Sequence, residues 1–364
     1  MNKATPEEVL ALYEELGSNK KTADHFGISS RHCRRLRREA EANEAPDGYQ
    51  IKGRSTLYDA DGEVKIEWVK TTQDAERQKE LFREGLEAMK DEVPRRPPKK
   101  APQSTLPDLL NLYTITDFHL GMLAWHKEGG DDWDVKIAER TLLGCFDAMM
   151  DGAPKAGTAV ICQLGDFLHS DGIVPMTPTS HHILDQDGRF SKIVRSAIHL
   201  LRSVIDSALE KHDNVHVIMA EGNHDISSSI WLRQMFAALY EDEPRVTIDI
   251  SELPYYAHQH GDTMLAFHHG HVKKFNGLIG MFAAQFAQMW GATKYRYGHS
   301  GHTHHTHVKE DMGMTMTQHQ TLSARDAYAS RGGWHSERKA ECTTYHKKHG
   351  KVASNHVTPE MIDG

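Results

Sequence analysis

Only four cysteines occur in 364 residues, Cys33, Cys145, Cys162 and Cys342, and none stands in a C-x-x-C pair. That scatter excludes a zinc ribbon and argues against a disulfide framework, so a reducing interior is the simplest home. Apolar runs near 18 residues are missing, as is an apolar stretch near the N-terminus, so neither membrane spanning nor secretion is expected. Net positive charge is absent too. The 43 Lys and Arg stand against 51 Asp and Glu, giving a formal charge of -8 and a pI near 6.4. Any surface for nucleic acid must therefore be local.

What is present is a plan repeated at strand ends. Residues 215–220 form a short apolar, β-branched run that reads as a buried strand, and Gly222-Asn223-His224-Asp225 closes it. Asp117-Phe118-His119 follows the run 112–116, Gly165-Asp166 follows 159–164, and Gly301-His302-Thr303-His304 forms a fourth cluster. Strands laid side by side bring their ends to one rim, where Asp, Asn and His converge without a thiolate. That donor mixture suits Mn, Fe or Zn better than Ca or Mg, which favour oxygen alone.

Strands and helices alternate from residue 106: a strand to 116, a helix over 134–150, a strand to 164, a helix over 191–211, a strand to 220 and a helix over 227–240. This rhythm predicts βαβ units with sites at the carboxyl ends of the strands. After Pro244 the pattern turns strand-rich, with strands at 246–250, 254–260, 264–269, 295–299 and 315–322 and one helix over 276–290.

The order D-x-H, G-D, G-N-H-D, H-G, G-H-x-H, carried by Asp117/His119, Asp166, Asn223/His224/Asp225, His269-Gly270 and His302/His304, resembles that of the calcineurin-like metallophosphoesterases. Within that family the motif is most similar to the double-strand-break repair nucleases, because His169 stands three residues after Asp166. The resemblance spans roughly residues 107–310. It implies a four-layer α/β/β/α sandwich and two divalent ions, Mn²⁺ first, with Fe or Zn as alternatives. It implies that Asp117, His119, Asp166 and His304 hold one ion and that Asp166, Asn223, His269 and His302 hold the other. A hydroxide shared by the ions would attack phosphorus, with His224 over the phosphate assisting the leaving group, Asp225 orienting His224, and His169 contacting phosphate. Among the three histidines of 268–271, His269 is the expected ligand because it directly precedes Gly270.

Residues 1–42 read as a small all-helical unit: a helix over 6–16, then a second from about Ser30, with Ala23, Gly27, Ile28, Cys33 and Leu36 at helix-turn-helix spacing. Arg31, His32, Arg34, Arg35, Arg37 and Arg38 would lie mostly on the outer face, all but Arg37 as DNA contacts, although a basic run is also what a plain solvated helix face looks like. Residues 43–105 read as a hairpin over 49–69 turning at Asp61-Gly62, a helix over 72–93, and a stiff basic Pro-rich linker. The catalytic segment is 106–335. Within it Arg325 could clamp phosphate and Trp334 could stack a base, or the two could be a structural ion pair and a core side chain. Residues 336–364 carry no usable pattern.

The leading expectation is a DNA phosphodiesterase, an exonuclease of the repair type, in the cytoplasm of a bacterial or phage-infected cell. No long coiled coil or partner-binding cap of the sort those nucleases carry is evident, which argues against an ATPase partner. Two other readings stand beside it: a phosphatase or nucleotide phosphodiesterase whose N-terminal unit contacts protein, and a non-catalytic DNA-binding protein on a metal-binding scaffold.

Overall fold

Thr5 and Glu8 start the first helix reciprocally: the Thr5 hydroxyl accepts the Glu8 N–H at 3.2 Å, and the Glu8 carboxylate accepts the Thr5 N–H at 2.9 Å. Helix α1 (Pro6–Leu16) then runs to Gly17, α2 (Asn19–Phe26) to Gly27, and α3 (Ser30–Ala42) follows. The computed structural model describes residues 4–42, 49–58, 64–73 and 99–362, and the chain divides into two units, Met1–Pro94 and Arg95–Gly364. In the first unit Val9, Ala23, Cys33 and Leu36 pack together, with Phe26 and Ile28 against them. Helix α2 is additional to the two helices legible in sequence. It is eight residues long and buries only Thr22 and Ala23, too little to set up an apolar period.

The strands β1 (Tyr49–Tyr58) and β2 (Val64–Gln73) pair antiparallel, as the hairpin pattern implies. The turn at Asp61-Gly62 lies outside the described residues. So does the helix expected over 72–93, apart from residues 72 and 73, which close β2. From the basic linker, Lys99 donates to Glu210 at 2.8 Å and to the Asp206 carbonyl at 3.0 Å, which makes it an anchor on the second unit.

The second unit is a mixed α/β fold with two sheets. The first sheet takes β3 (Leu106–Ile115), β4 (Ala156–Gln163), β5 (Asn214–Met219) and β6 (Val246–Ile248), all parallel. The second takes β7 (Tyr256–His260), β8 (Thr263–Phe267), β9 (Tyr295–Ser300), β10 (His307–Asp311) and β11 (Met314–Gln318) in the order β10-β11-β9-β8-β7, with β8, β9 and β11 parallel. The inner faces meet in one cluster: Leu110, Leu112, Val160, Cys162, Ile218 and Tyr345 against Tyr256, Leu265 and Phe267. Each such fully buried side chain stabilises the fold by ~1.5–3 kcal/mol.

The first sheet's outer face carries α4 (Val135–Gly152) and α5 (Phe190–Lys211), with the Tyr113 and Phe146 rings 5.1 Å apart and the Tyr113 hydroxyl 2.9 Å from His212 Nε2. Helix α6 (Ile226–Leu239) follows β5. The second sheet's outer face is covered by α7 (Phe275–Gln285), whose Leu278, Ile279 and Phe282 meet Met264, Ala266, Met314 and Met316. The layers are therefore α/β/β/α. Sequence placed one helix over 276–290, but α7 ends at Gln285 and a second helix spans Ala287–Ala292. Among the described residues no helix is long and apolar enough to cross a membrane.

The segment without a usable pattern supplies two strands, β12 (Ala340–His346) and β13 (Gly350–Val357), and β12 lies between β13 and β3. Tyr345 enters the core and the Thr344 hydroxyl donates to Asn111 at 2.8 Å. A chain stopped at residue 335 would bare the β3 edge and empty the Tyr345 site. The expected outcome is loss of the cooperative thermal transition in circular dichroism, whereas a dispensable tail would leave that transition in place.

Candidate metal centre

Five parallel strands end at one rim, and each is followed by candidate ligands. Asp117 and His119 follow β3, Asp166 follows β4, Asn223 follows β5, His269 follows β8, and His302 and His304 follow β9. The loops after β3 and β4 continue the pairing of their strands: Asp117 N–H donates to the Gly165 carbonyl and His119 N–H to the Asp166 carbonyl, both at 3.0 Å. Across the sandwich, His302 N–H donates to the Asp117 carboxylate at 2.9 Å.

These loops carry unusual backbone strain. Asp117, His119, Asp166, His302 and His304 all have positive φ, between 49° and 76°, a region that L side chains rarely occupy. Two glycines of the same loops are fixed by close approach. A Cβ on Gly222 would strike Asp166, and one on Gly301 would strike Thr116 and Asp117.

Donor atoms gather into groups whose members lie within 4.8 Å of one another: Asp117, His119 and His304; Asp166, His269 and His302. His269 Nε2 is 3.1 Å from Asp166 Oδ2 and 3.9 Å from Asp117 Oδ1, so the two groups share an edge, and His304 Nε2 is 3.2 Å from Asp117 Oδ1. His269 Nδ1 donates to the Leu164 carbonyl at 2.9 Å, which leaves Nε2 directed at the carboxylates. Buried Asn223 Oδ1 has no hydrogen-bond partner, and His269 Nε2 meets only the carboxylates. An orphaned donor atom in a water-poor site, with carboxylate, amide and imidazole chemistry and no thiolate, fits a pair of divalent cations.

Burial opposes charge on Asp117, yet His304 and His269 override it and hold the carboxyl well below its usual range. Burial likewise lowers His269, but Asp166 and Asp117 outweigh it and raise the imidazole to about 10. Burial, reinforced by His224, takes His119 well below its ordinary value and His169 to about 3, the neutral form a ligand requires.

Two expected roles change. Asp225 does not contact the His224 ring. Its carboxylate accepts four backbone N–H groups, from Asp166 (3.2 Å), Phe167 (2.7 Å), Leu168 (3.1 Å) and Gly222 (3.0 Å), and so clamps the loop after β4 to the loop after β5. Burial and the nearby Asp166 push the Asp225 carboxyl up, to about 7, against the Leu168 and Gly222 donors. His224 is oriented instead by the His169 carbonyl, which accepts its Nδ1–H at 2.8 Å. His169 is almost fully buried, with Nδ1 3.3 Å from His119 Nδ1. That contact leaves His119 Nε2, 3.4 Å from His304 Nε2, as the ligand atom. His268 stacks on Tyr255 at 4.9 Å and His271 joins neither ligand group.

Other residues of the site had no local signal. The Thr321 and Ser323 hydroxyls both donate to the Asp117 carbonyl, and Asp171 accepts the Ser227 and Ser228 N–H groups at 2.7 Å, capping α6 from 55 residues away in sequence. Arg325 donates to the Gly129 carbonyl, a structural role, whereas Trp334 is 56% exposed and is no core residue. In the N-terminal unit Arg31, His32, Arg34 and Arg35 are exposed, and the side chain of Arg38 lies outside the described residues. Arg37 instead stacks over Tyr13 at 4.0 Å and bonds Asn19.

No protein-family model matches this chain, and no curated protein matches it. Among solved structures it is similar to a conserved uncharacterized protein from Streptococcus pneumoniae TIGR4 described as a predicted phosphoesterase, at 11% identity and TM-score 0.28, over 68% of this chain and 97% of that one. It is similar to vacuolar protein sorting 29 from Cryptosporidium parvum at 13% identity and TM-score 0.34, over 69% and 98% of the two chains. A 5'-nucleotidase from Candida albicans SC5314 matches at 11% identity and TM-score 0.33, over 71% and 53%.

Asp225→Asn would leave one carboxamide oxygen for four donors, so a stability loss of at least ~2 kcal/mol is expected in urea unfolding. A second outcome concerns pH. His269 is raised to about 10 from an ordinary 6.5, so the stability it contributes to metal-free protein is full below 6.5 and falls as pH rises towards 10. Between pH 7 and 9 chelator-treated protein is expected to lose about 2 kcal/mol. Mn²⁺-loaded protein, in which that proton has already been displaced, should show no such slope.

Proposed function

We propose that the second unit is a divalent-metal-dependent phosphodiesterase of the calcineurin-like metallophosphoesterase kind, acting on DNA. The observation that carries this reading is the pair of ligand groups sharing an edge at the strand ends, with His224 beside them. Two divalent cations held there would neutralise the phosphoryl oxygens and activate water. Asp117, His119 and His304 would hold one; Asp166, His269 and His302, with Asn223, the other.

The remaining work falls to the protein. His224 is fixed through Nδ1, so its Nε2 is free to move a proton at the leaving oxygen. His169 keeps both His119 and His224 in place. The ligands open into a cleft of 1120 Å³ that also takes in Tyr328, Trp334, Arg325 and Arg331, more room than a lone phosphate group needs. The exposed Arg31, Arg34 and Arg35 of α3 support DNA as the partner through contacts to the phosphate backbone.

The test is hydrolysis of end-labelled single- and double-stranded DNA with Mn²⁺, run beside a phosphomonoester. Metal-dependent DNA cleavage is expected, with exonucleolytic product lengths. In His224→Ala it should fall ~10²–10⁴-fold while two Mn²⁺ per chain are still bound. Cleavage confined to the monoester would make the protein a phosphatase. Tight DNA binding without hydrolysis would make it a non-catalytic DNA-binding protein.

A further inference from the structure

The chain between β11 and β12 does more than connect two sheets. Thr321 and Ser323 tie its start to the Asp117 carbonyl, and the Ser336 hydroxyl ties its end to the His304 carbonyl at 2.6 Å. Both anchors are thus backbone atoms of candidate ligands. Between them Asp326 caps a short turn of helix, accepting the Ala329 N–H at 2.7 Å, and the turn lifts two aromatic rings to the mouth of the cleft. Tyr328 is 67% exposed and Trp334 56%, and their rings meet edge to face at 5.2 Å. Opposite them the loop after β4 brings His182 to 6.2 Å from the Tyr328 ring. Arg331, 81% exposed, stands on the same turn and meets Glu128 at 3.5 Å.

Two large rings held in water over a donor-rich floor, with a guanidinium beside them, lack a packing explanation. A duplex keeps its bases stacked inside, whereas an unpaired nucleotide offers a free π-face to a ring and a phosphate to a cation. We infer that Tyr328 and Trp334 form a stacking platform for an unpaired nucleobase, so that the cleft takes single-stranded DNA, frayed ends or flaps in preference to paired duplex. This rests on the phosphodiesterase reading for the reaction but not for the binding.

The test follows Trp334 fluorescence as the difference between wild type and Trp334→Ala, without added metal. A 12-mer of deoxythymidine should quench it saturably, and an abasic 12-mer or a blunt duplex should not. Tyr328→Ala should weaken the deoxythymidine titration about tenfold, and Trp334→Phe should restore cleavage of single strands lost in Trp334→Ala. Wild-type protein with Mn²⁺ is assayed separately on methyl 4-nitrophenyl phosphate, a diester without a nucleobase, which reads the hydrolytic reaction apart from the platform. Equal quenching by the abasic oligomer, or none by deoxythymidine, overturns the platform and leaves the phosphodiesterase reading intact. Base-dependent quenching in a protein that cleaves no diester keeps the platform and removes that reading.

Discussion

The buried carboxylate of Asp225 is the constraint on which the centre depends. Three consecutive N–H groups of the loop after β4 and one from the loop after β5 point inward at it. Left without that acceptor they would be unpaired in a dry interior, at a cost of ~1–3 kcal/mol each. The same clamp sets where Asp166 stands, and Asp166 in turn accepts the His224 N–H at 2.8 Å and meets His269 at 3.1 Å. A residue that touches no substrate thus determines how far apart the candidate ligands lie.

Much of this was legible in sequence, for a physical reason. Parallel strands buried on both faces read as apolar runs, so the polar residues that close them stand out, and Asp117, Asp166, Asn223, His269, His302 and His304 were all placed by that contrast together with the family resemblance. The alternation predicted the βαβ units, and the α/β/β/α layering came from the family resemblance. What stayed hidden depends on pairing between distant segments. The strand β12 alternates weakly because Thr343 and Thr344 are buried polar residues satisfied by neighbours, and β13 because most of its residues are exposed. Asp171 caps a helix far along the chain, and Asp225 looks like a partner of its neighbour His224 until its four donors are seen.

Trp334 shows the opposite limit. Sequence left it between a core side chain and a stacking surface, because a single Trp has no period to read. Its exposure, beside Tyr328 in the cleft of the candidate ligands, excludes the core reading. The histidines divide in a similar way. His299 is buried, 2.9 Å from His319 and 3.2 Å from the Tyr345 hydroxyl, a satisfied core group, while its near neighbours His302 and His304 turn to the rim.

The left-handed backbone at Asp117, His119, Asp166, His302 and His304 bears on what substitution there would do. Glycine would relieve backbone strain at each of these positions, but at Asp117 and Asp166 it would also remove the carboxylates that accept the His302 and His224 N–H groups. Strain relief and hydrogen bonding therefore oppose one another at this rim, and a glycine there exchanges one for the other.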